Sequence, residues 1–157
     1  MQKITPFLWF NNQSEEAAQY YCSVFPNSSI GTTSRYDEAS AKASGQPVGS
    51  ALVVTFTLNG QPFNALNGGP TFTFSEAVSF MVTCENQEEI DYYWNNLSAV
   101  PESEQCGWCK DKFGLSWQIV PKNMSDLISG PDKEKSSRAM QAMMQMKKID
   151  IEALQNA

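Results

Sequence analysis

The strongest constraint on this chain is that its two halves repeat one pattern. Glu15-Glu16-Ala17 followed by Tyr20-Tyr21 returns as Glu88-Glu89-Ile90 followed by Tyr93-Trp94, at a constant spacing of 73 positions (15 to 88, 21 to 94). The same spacing lays the apolar run Phe7–Phe10 over Phe80–Thr83. The ends of the halves also correspond: Gly60-Gln61-Pro62-Phe63-Asn64-Ala65 resembles Gly114-Leu115-Ser116-Trp117-Gln118-Ile119. Amphipathic helices look alike by default. A leading strand, a helix and a closing hairpin that agree in order make a stronger signal. One half cannot bury both its sheet face and its helix, so the halves are expected to pair, helices outside and a sheet curved around a cavity.

The local pattern fills in that outline. Lys3–Phe10 reads as a strand, with Ile4, Phe7, Leu8, Trp9 and Phe10 apolar and no helical spacing. Ser14 is the expected N-cap of a helix whose stripe is Ala17, Tyr20, Tyr21, Val24 and Phe25, with Glu15 and Glu16 on the positive end of its dipole. Ser28–Tyr36 reads as a strand, Asp37–Gly49 as a mobile loop, and Ala51–Leu58 and Gln61–Leu66 as a hairpin turned at Asn59-Gly60. After Asn67–Pro70, the second half places a strand at Ala77–Thr83. A helix capped by Asn86 follows, with Ile90, Tyr93, Trp94 and Leu97 inside, then strands at Gln105–Lys110 and Leu115–Val120. Asp132–Leu154 reads as a helical tail. Its Met140, Met143 and Met144 suit core or dimer packing better than a ligand site.

Composition removes whole classes of function. The chain has no histidine, which excludes His-based triads, His general bases and His metal ligands together. Its net charge of −6 repels phosphate backbones, so no nucleic-acid partner is expected. There is no apolar run long enough for a membrane span and no signal-peptide pattern at Met1–Phe10, so a cytoplasmic location without membrane contact is expected. The four cysteines, Cys22, Cys84, Cys106 and Cys109, do not read as a secreted disulfide framework in a chain of 157 residues.

Several motifs together resemble one family. The opening Ile4-Thr5-Pro6-Phe7-Leu8-Trp9-Phe10 with Glu15-Glu16-Ala17, and Leu66-Asn67-Gly68-Gly69-Pro70 with Phe72, Phe74 and Ser79-Phe80, are two of them. Cys106-Gly107-Trp108, Asp111-Lys112-Phe113-Gly114 and Trp117-Gln118-Ile119-Val120-Pro121 are the most specific. Over nearly the whole chain these resemble the PhnB-like branch of the glyoxalase/bleomycin-resistance/dioxygenase (vicinal oxygen chelate) superfamily. The resemblance implies an α+β fold of two tandem βαβββ modules forming a curved mixed sheet around a cavity, plus a C-terminal helical tail. In this chain it implies one domain over 1–157, with module one at about 1–67, module two at about 75–121 and the tail at about 123–157. It also implies a homodimer. Members of the branch often carry a 3-demethylubiquinone-9 3-methyltransferase label. The chain has no glycine-rich strand-to-helix loop of the kind that holds S-adenosylmethionine in doubly wound methyltransferases.

Metal-dependent members of that superfamily hold one divalent ion in the curved sheet. Their ligand positions carry over here to Pro6, Asn64, Ser79 and Gln118, one residue without a donor, one hydroxyl and two neutral amides. No negative charge offsets an ion there, so no metal and no cofactor are expected. Strand alternation then places Leu8, Phe10, Asn64, Leu66, Ser79, Met81 and Gln118 on the cavity side, with Trp108 beside Cys106. Phe7, Trp9, Phe63, Phe80, Trp117 and Ile119 fall under the helices. The amides either hold a ligand or bond within the protein. Cys106-Gly107-Trp108-Cys109 is a lone C-x-x-C, which is weak as a redox or zinc motif; Cys106 alone is a candidate pocket thiol.

Three readings compete. The first is a metal-independent protein that binds a small organic ligand. The second is an enzyme of isomerase, lyase or dioxygenase type using Glu76 or Cys106 as base or nucleophile. The third is an interaction module whose dimer surface and tail are the function. Fold alone does not choose among them.

Overall fold

The computed structural model describes residues 2–157, which divide into two compact units, 2–73 and 74–157. In the first unit the chain runs β1 (Phe7–Phe10), α1 (Ser14–Val24), β2 (Ser29–Arg35), α2 (Glu38–Ser44), β3 (Ala51–Leu58) and β4 (Gln61–Asn67). The sheet order is β1-β4-β3-β2, with β1 parallel to β4 and the other pairs antiparallel. The hairpin at Asn59-Gly60 has positive φ at both residues, 47° and 78°, as a two-residue turn that matches strand twist requires. Helix α1 covers one sheet face. Tyr21 stacks on Phe56 at 6.3 Å and Phe56 on Phe63 at 5.4 Å, and Ala17, Ala18 and Val24 are buried beside them.

Two local expectations change here. Ser14 is the first helical residue, not the cap: Gln13 precedes the helix without a side-chain cap bond, and Asn67 of β4 accepts from the Ser14 N–H instead. Residues 37–49 are not a loop throughout, because Asp37 and Ser40 form a reciprocal capping box that starts α2, and Gly45 ends it in the left-handed region. Alanines at three of its seven positions favour helix, and the box satisfies the first free N–H groups.

The second unit runs β5 (Ser79–Cys84), α3 (Gln87–Leu97), a single 3-10 turn at Pro101–Ser103, β6 (Trp108–Lys110), β7 (Ser116–Pro121), α4 (Met124–Ser129), α5 (Lys133–Met144) and α6 (Ile151–Gln155). Its sheet order is β5-β7-β6, with β5 parallel to β7. Two strands follow the helix rather than three. The expected strand at 105–110 is broken by a turn: Gln105 and Trp108 exchange backbone bonds of 3.0 and 2.7 Å across Cys106-Gly107. Both turn residues have positive φ, 50° and 84°. The tail docks on this turn, Met146 and Lys147 accepting from the Cys106 and Gly107 N–H groups at 2.9 and 2.8 Å. Gln87 clasps it from α3, donating to the Ile149 carbonyl and accepting from the Ile151 N–H, both at 3.0 Å. The tail buries Ala139, Ile149 and Leu154, while its methionines stay half-buried or exposed.

The repeat is real within each helix and slips by one residue at each leading strand. Tyr21 and Trp94, Ala17 and Ile90, and Val24 and Leu97 are all buried and all 73 apart. In the sheets, however, Asn64 pairs with Phe7 and its counterpart Gln118 pairs with Met81, which are 74 apart. The connection from β1 to α1 holds one residue more than that from β5 to α3, and Asn12 within it has φ 66°. One extra residue there moves β1 by one position against the repeat, and side chains alternate with a period of two, so every side chain of β1 changes face.

Candidate ligand-binding site

Each sheet has one face under its helix and one open face. On the second unit, cross-strand pairing aligns Trp108, Gln118 and Met81 in one row of the open face and Lys110, Ser116 and Ser79 in the next. The alternate residues Trp117 and Ile119 are buried on the helix side. Gln118 Nε2 donates to Ser79 Oγ at 2.9 Å, so this amide finds a partner inside the protein and fixes its own orientation. Met81 is 63% exposed, which leaves an apolar flank beside the amide.

Glu76 joins this face through an ion pair with Lys110. That hydrogen bond, a backbone N–H and the Lys110 charge hold the Glu76 carboxyl below the usual carboxylate range. A carboxylate held ionised by an ammonium is a poor proton acceptor, which weakens its candidacy as a general base. Lys110 itself is absent from the residues that the sequence singled out. Its signal was the i, i+2 spacing from Trp108 on one strand.

Cys106 lies in the left-handed turn before β6, not on a strand with Trp108. The expectation that these two side chains share a strand face is therefore corrected, since a turn breaks the alternation that produced it. Cys109 is buried on the opposite side of β6, and burial pushes its thiol up to about 12. A thiol so held does not form the thiolate that a dithiol redox pair needs.

On the first unit the open face carries Phe7, Trp9, Thr55, Thr57, Asn64 and Leu66, as the register of β1, β3 and β4 shows. Leu8 and Phe10 are corrected to the helix side. They pair with Ala65 and Asn67, share the face of Phe63, and are 6% and 2% exposed. The one-residue slip of β1 explains both. Phe7, 56% exposed, takes the position beside Asn64 that the sequence assigned to its neighbours. A hollow of about 160 Å³ opens among Ser29, Gly31, Thr55, Thr57, Pro62 and Asn64. Gly31 is needed there, because a Cβ would stand 2.4 Å from Thr55 Oγ1. Trp9 walls the same face, donating from Nε1 to the Gly69 carbonyl at 2.9 Å and meeting Phe72 edge-on at 5.0 Å.

The residues at the superfamily's ligand positions do not suit a divalent ion. Pro6 offers no donor, Ser79 and Gln118 are bonded to each other, and Asn64 is a neutral amide. Among the described residues, no three His, Cys, Asp or Glu side chains gather as ligands. A larger groove of about 630 Å³ lies at the start of α3, lined by residues including Glu85, Asp91, Lys122 and Lys148. Its lining is acidic on balance: Lys122 pairs with Glu85 and Lys148 with Asp91, and Asp150 and Glu152 add two further carboxylates.

Comparison with known proteins agrees with the motifs. Residues 2–120 match the family model described as 3-demethylubiquinone-9 3-methyltransferase. Among solved structures, a putative 3-demethylubiquinone-9 3-methyltransferase, PhnB protein, from Bacillus cereus is 40% identical, over 76% of this chain and 99% of that one, with a TM-score of 0.63. Protein PA1353 from Pseudomonas aeruginosa shares the fold at 16% identity, over 78% and 98% of the two chains, with a TM-score of 0.56. A glyoxylase/bleomycin resistance protein/dioxygenase domain from Frankia sp. EAN1pec is 11% identical, over 77% and 92%, with a TM-score of 0.49. No curated protein matches the chain.

Proposed function

The chain belongs to the family described as 3-demethylubiquinone-9 3-methyltransferase, and from that premise we propose that it binds a small organic ligand on its open sheet faces without a catalytic metal. The methyltransferase wording is a family name. The connections from β1 to α1 and from β5 to α3 contain no glycine, so neither offers the close backbone approach that a nucleotide-like cofactor uses in doubly wound folds.

One observation carries the reading. Gln118 and Ser79 form a bonded polar pair flanked by exposed Met81 and half-buried Trp108, on a face that no helix of its own unit covers. A few oriented polar groups set in apolar surface are what orients a small ligand. Exposed Phe7 and Met81 on the two open faces also favour a homodimer, in which a second copy would shelter such surface. Catalysis by Glu76 or Cys106 is the second reading. It is disfavoured because Glu76 is held ionised by Lys110 and Cys106 sits in a turn with its backbone tied to the tail.

The test is a screen of small aromatic and aliphatic compounds by ligand-observed NMR, repeated on Gln118→Ala and Asn64→Ala. Binding should weaken in at least one variant while the thermal midpoint stays within about a few degrees, since both side chains lie on a half-exposed face. Unchanged binding in both would remove these amides from the site. Light scattering on the same samples reads the oligomeric state.

A further inference from the structure

On the open face of the second unit, Lys110 sits in the cross-strand row of Ser116 and Ser79. The Lys110 side chain is 22% exposed whereas that of its partner Glu76 is 60% exposed. The Lys110 side chain is thus mostly covered, while that of its carboxylate partner is mostly exposed. Glu76 comes from a stretch without helix or strand, between Asn67 and Ser79. Such a carboxylate is held mainly by the ion pair itself, and exposed ion pairs are readily exchanged.

Two hydroxyls share the cross-strand row of Lys110. Ser79 Oγ accepts from Gln118 Nε2, which leaves its own proton to be donated elsewhere. Ser116 is 1% exposed, and among the described residues its Oγ has no hydrogen-bond partner. A buried hydroxyl without a partner is costly and calls for an explanation. An ammonium and two hydroxyl protons in one row form a donor set for an oxyanion. The adjacent row, Met81, Gln118 and Trp108, offers apolar surface for the rest of the molecule.

We propose that this row is a carboxylate-recognition site: an apolar, flat organic acid replaces Glu76 on Lys110, takes hydrogen bonds from Ser79 and Ser116, and lays its body on Met81 and Trp108. The inference rests on the proposed ligand-binding role and adds the ligand's charge. Glu76 then acts as an internal competitor that occupies the site when no acid is bound.

The test uses the full chain and two probes of equal shape, para-fluorobenzoate and para-fluorobenzamide, titrated by fluorine NMR. Benzoate should bind more tightly than benzamide. Glu76→Gln should tighten benzoate by about threefold or more, because its competitor is gone, and Lys110→Gln should weaken it by about tenfold. Benzamide should change little in either variant. A merely structural Glu76 would not yield tighter binding on its removal. Equal binding of both probes, indifferent to Glu76→Gln, would overturn the carboxylate site while leaving the ligand-binding role in place. Failure of both probes to bind wild type and Glu76→Gln would overturn the carboxylate site and count against that role as well.

Discussion

Asn67, the last residue of β4, caps helix α1 from across the fold: its Oδ1 accepts from the Ser14 N–H at 2.9 Å. The other end of the same amide donates to the Ala51 carbonyl at 3.1 Å, and the Asn67 carbonyl accepts from Tyr36 Oη at 2.6 Å. One buried side chain thus joins a helix start to two strand ends. Asn67→Ala should cost about 2 to 3 kcal/mol, because it leaves a helix N–H and a buried carbonyl without partners. Urea denaturation measures it. A loss below about half a kcal/mol would show that water replaces the amide.

Asp111 plays the matching part in the second unit. It is buried, and accepts from the Phe113 N–H at 2.8 Å, the Leu115 N–H at 3.1 Å and Trp117 Nε1 at 2.8 Å. Three donors around one carboxylate close the turn between β6 and β7 and set the Trp117 ring. Asp111→Ala should destabilise the protein by about 3 kcal/mol or more, and Trp emission should shift to longer wavelength as the indole loses its partner. Asp111→Asn keeps two of the acceptor bonds and should fall between.

Gly68 is required by close approach and not by a turn. A Cβ built there would lie 2.2 Å from Trp9 Cζ2. Gly68→Ala should therefore displace the indole, lose its bond to the Gly69 carbonyl and cost about 1 to 3 kcal/mol. Near-ultraviolet circular dichroism and thermal melting report both effects. Any ligand held on the first unit's open face should bind more weakly in this variant.

Alkaline pH should destabilise the fold through two thiols. Burial raises Cys84 and Cys109 from an ordinary value of 9.0 to about 12. Their folded pKa is above the unfolded one, so their contribution is intact below pH 9 and is lost as pH climbs toward 12. In that window the unfolded chain sheds its thiol protons first, and stability should fall by about 1.4 kcal/mol per pH unit for each thiol. Denaturation midpoints from pH 8 upward test it. Cys84→Ser and Cys109→Ser should each flatten the slope. At neutral pH both thiols should react with a thiol reagent only after unfolding.

The sequence carried a good part of this. Helix stripes such as Ile90, Trp94 and Leu97, the Asn59-Gly60 hairpin and the Asn86 cap follow from local periodicity and turn chemistry, and each is where it was expected. The short helix α2 was hidden because its small polar residues read as loop, although Asp37 and Ser40 three residues apart are a capping box. The break at Cys106-Gly107 was hidden for a different reason. Cysteine rarely adopts positive φ, and the carbonyls of Met146 and Lys147 that hold the turn come from forty positions away.

The residue types available to a site are read from the sequence itself: the chain has no histidine, and Asn64 and Gln118 are neutral amides. Which face each side chain takes was decided only by the tertiary structure. A strand's alternation is local, but its phase is set by the partner strand, and one extra residue between β1 and α1 was enough to turn Leu8 and Phe10 inward and Phe7 out beside Asn64. Lys110, Ser116 and Ser79 likewise become neighbours only because β5, β7 and β6 pair in that register, since no spacing along the chain brings three residues from separate strands into one row.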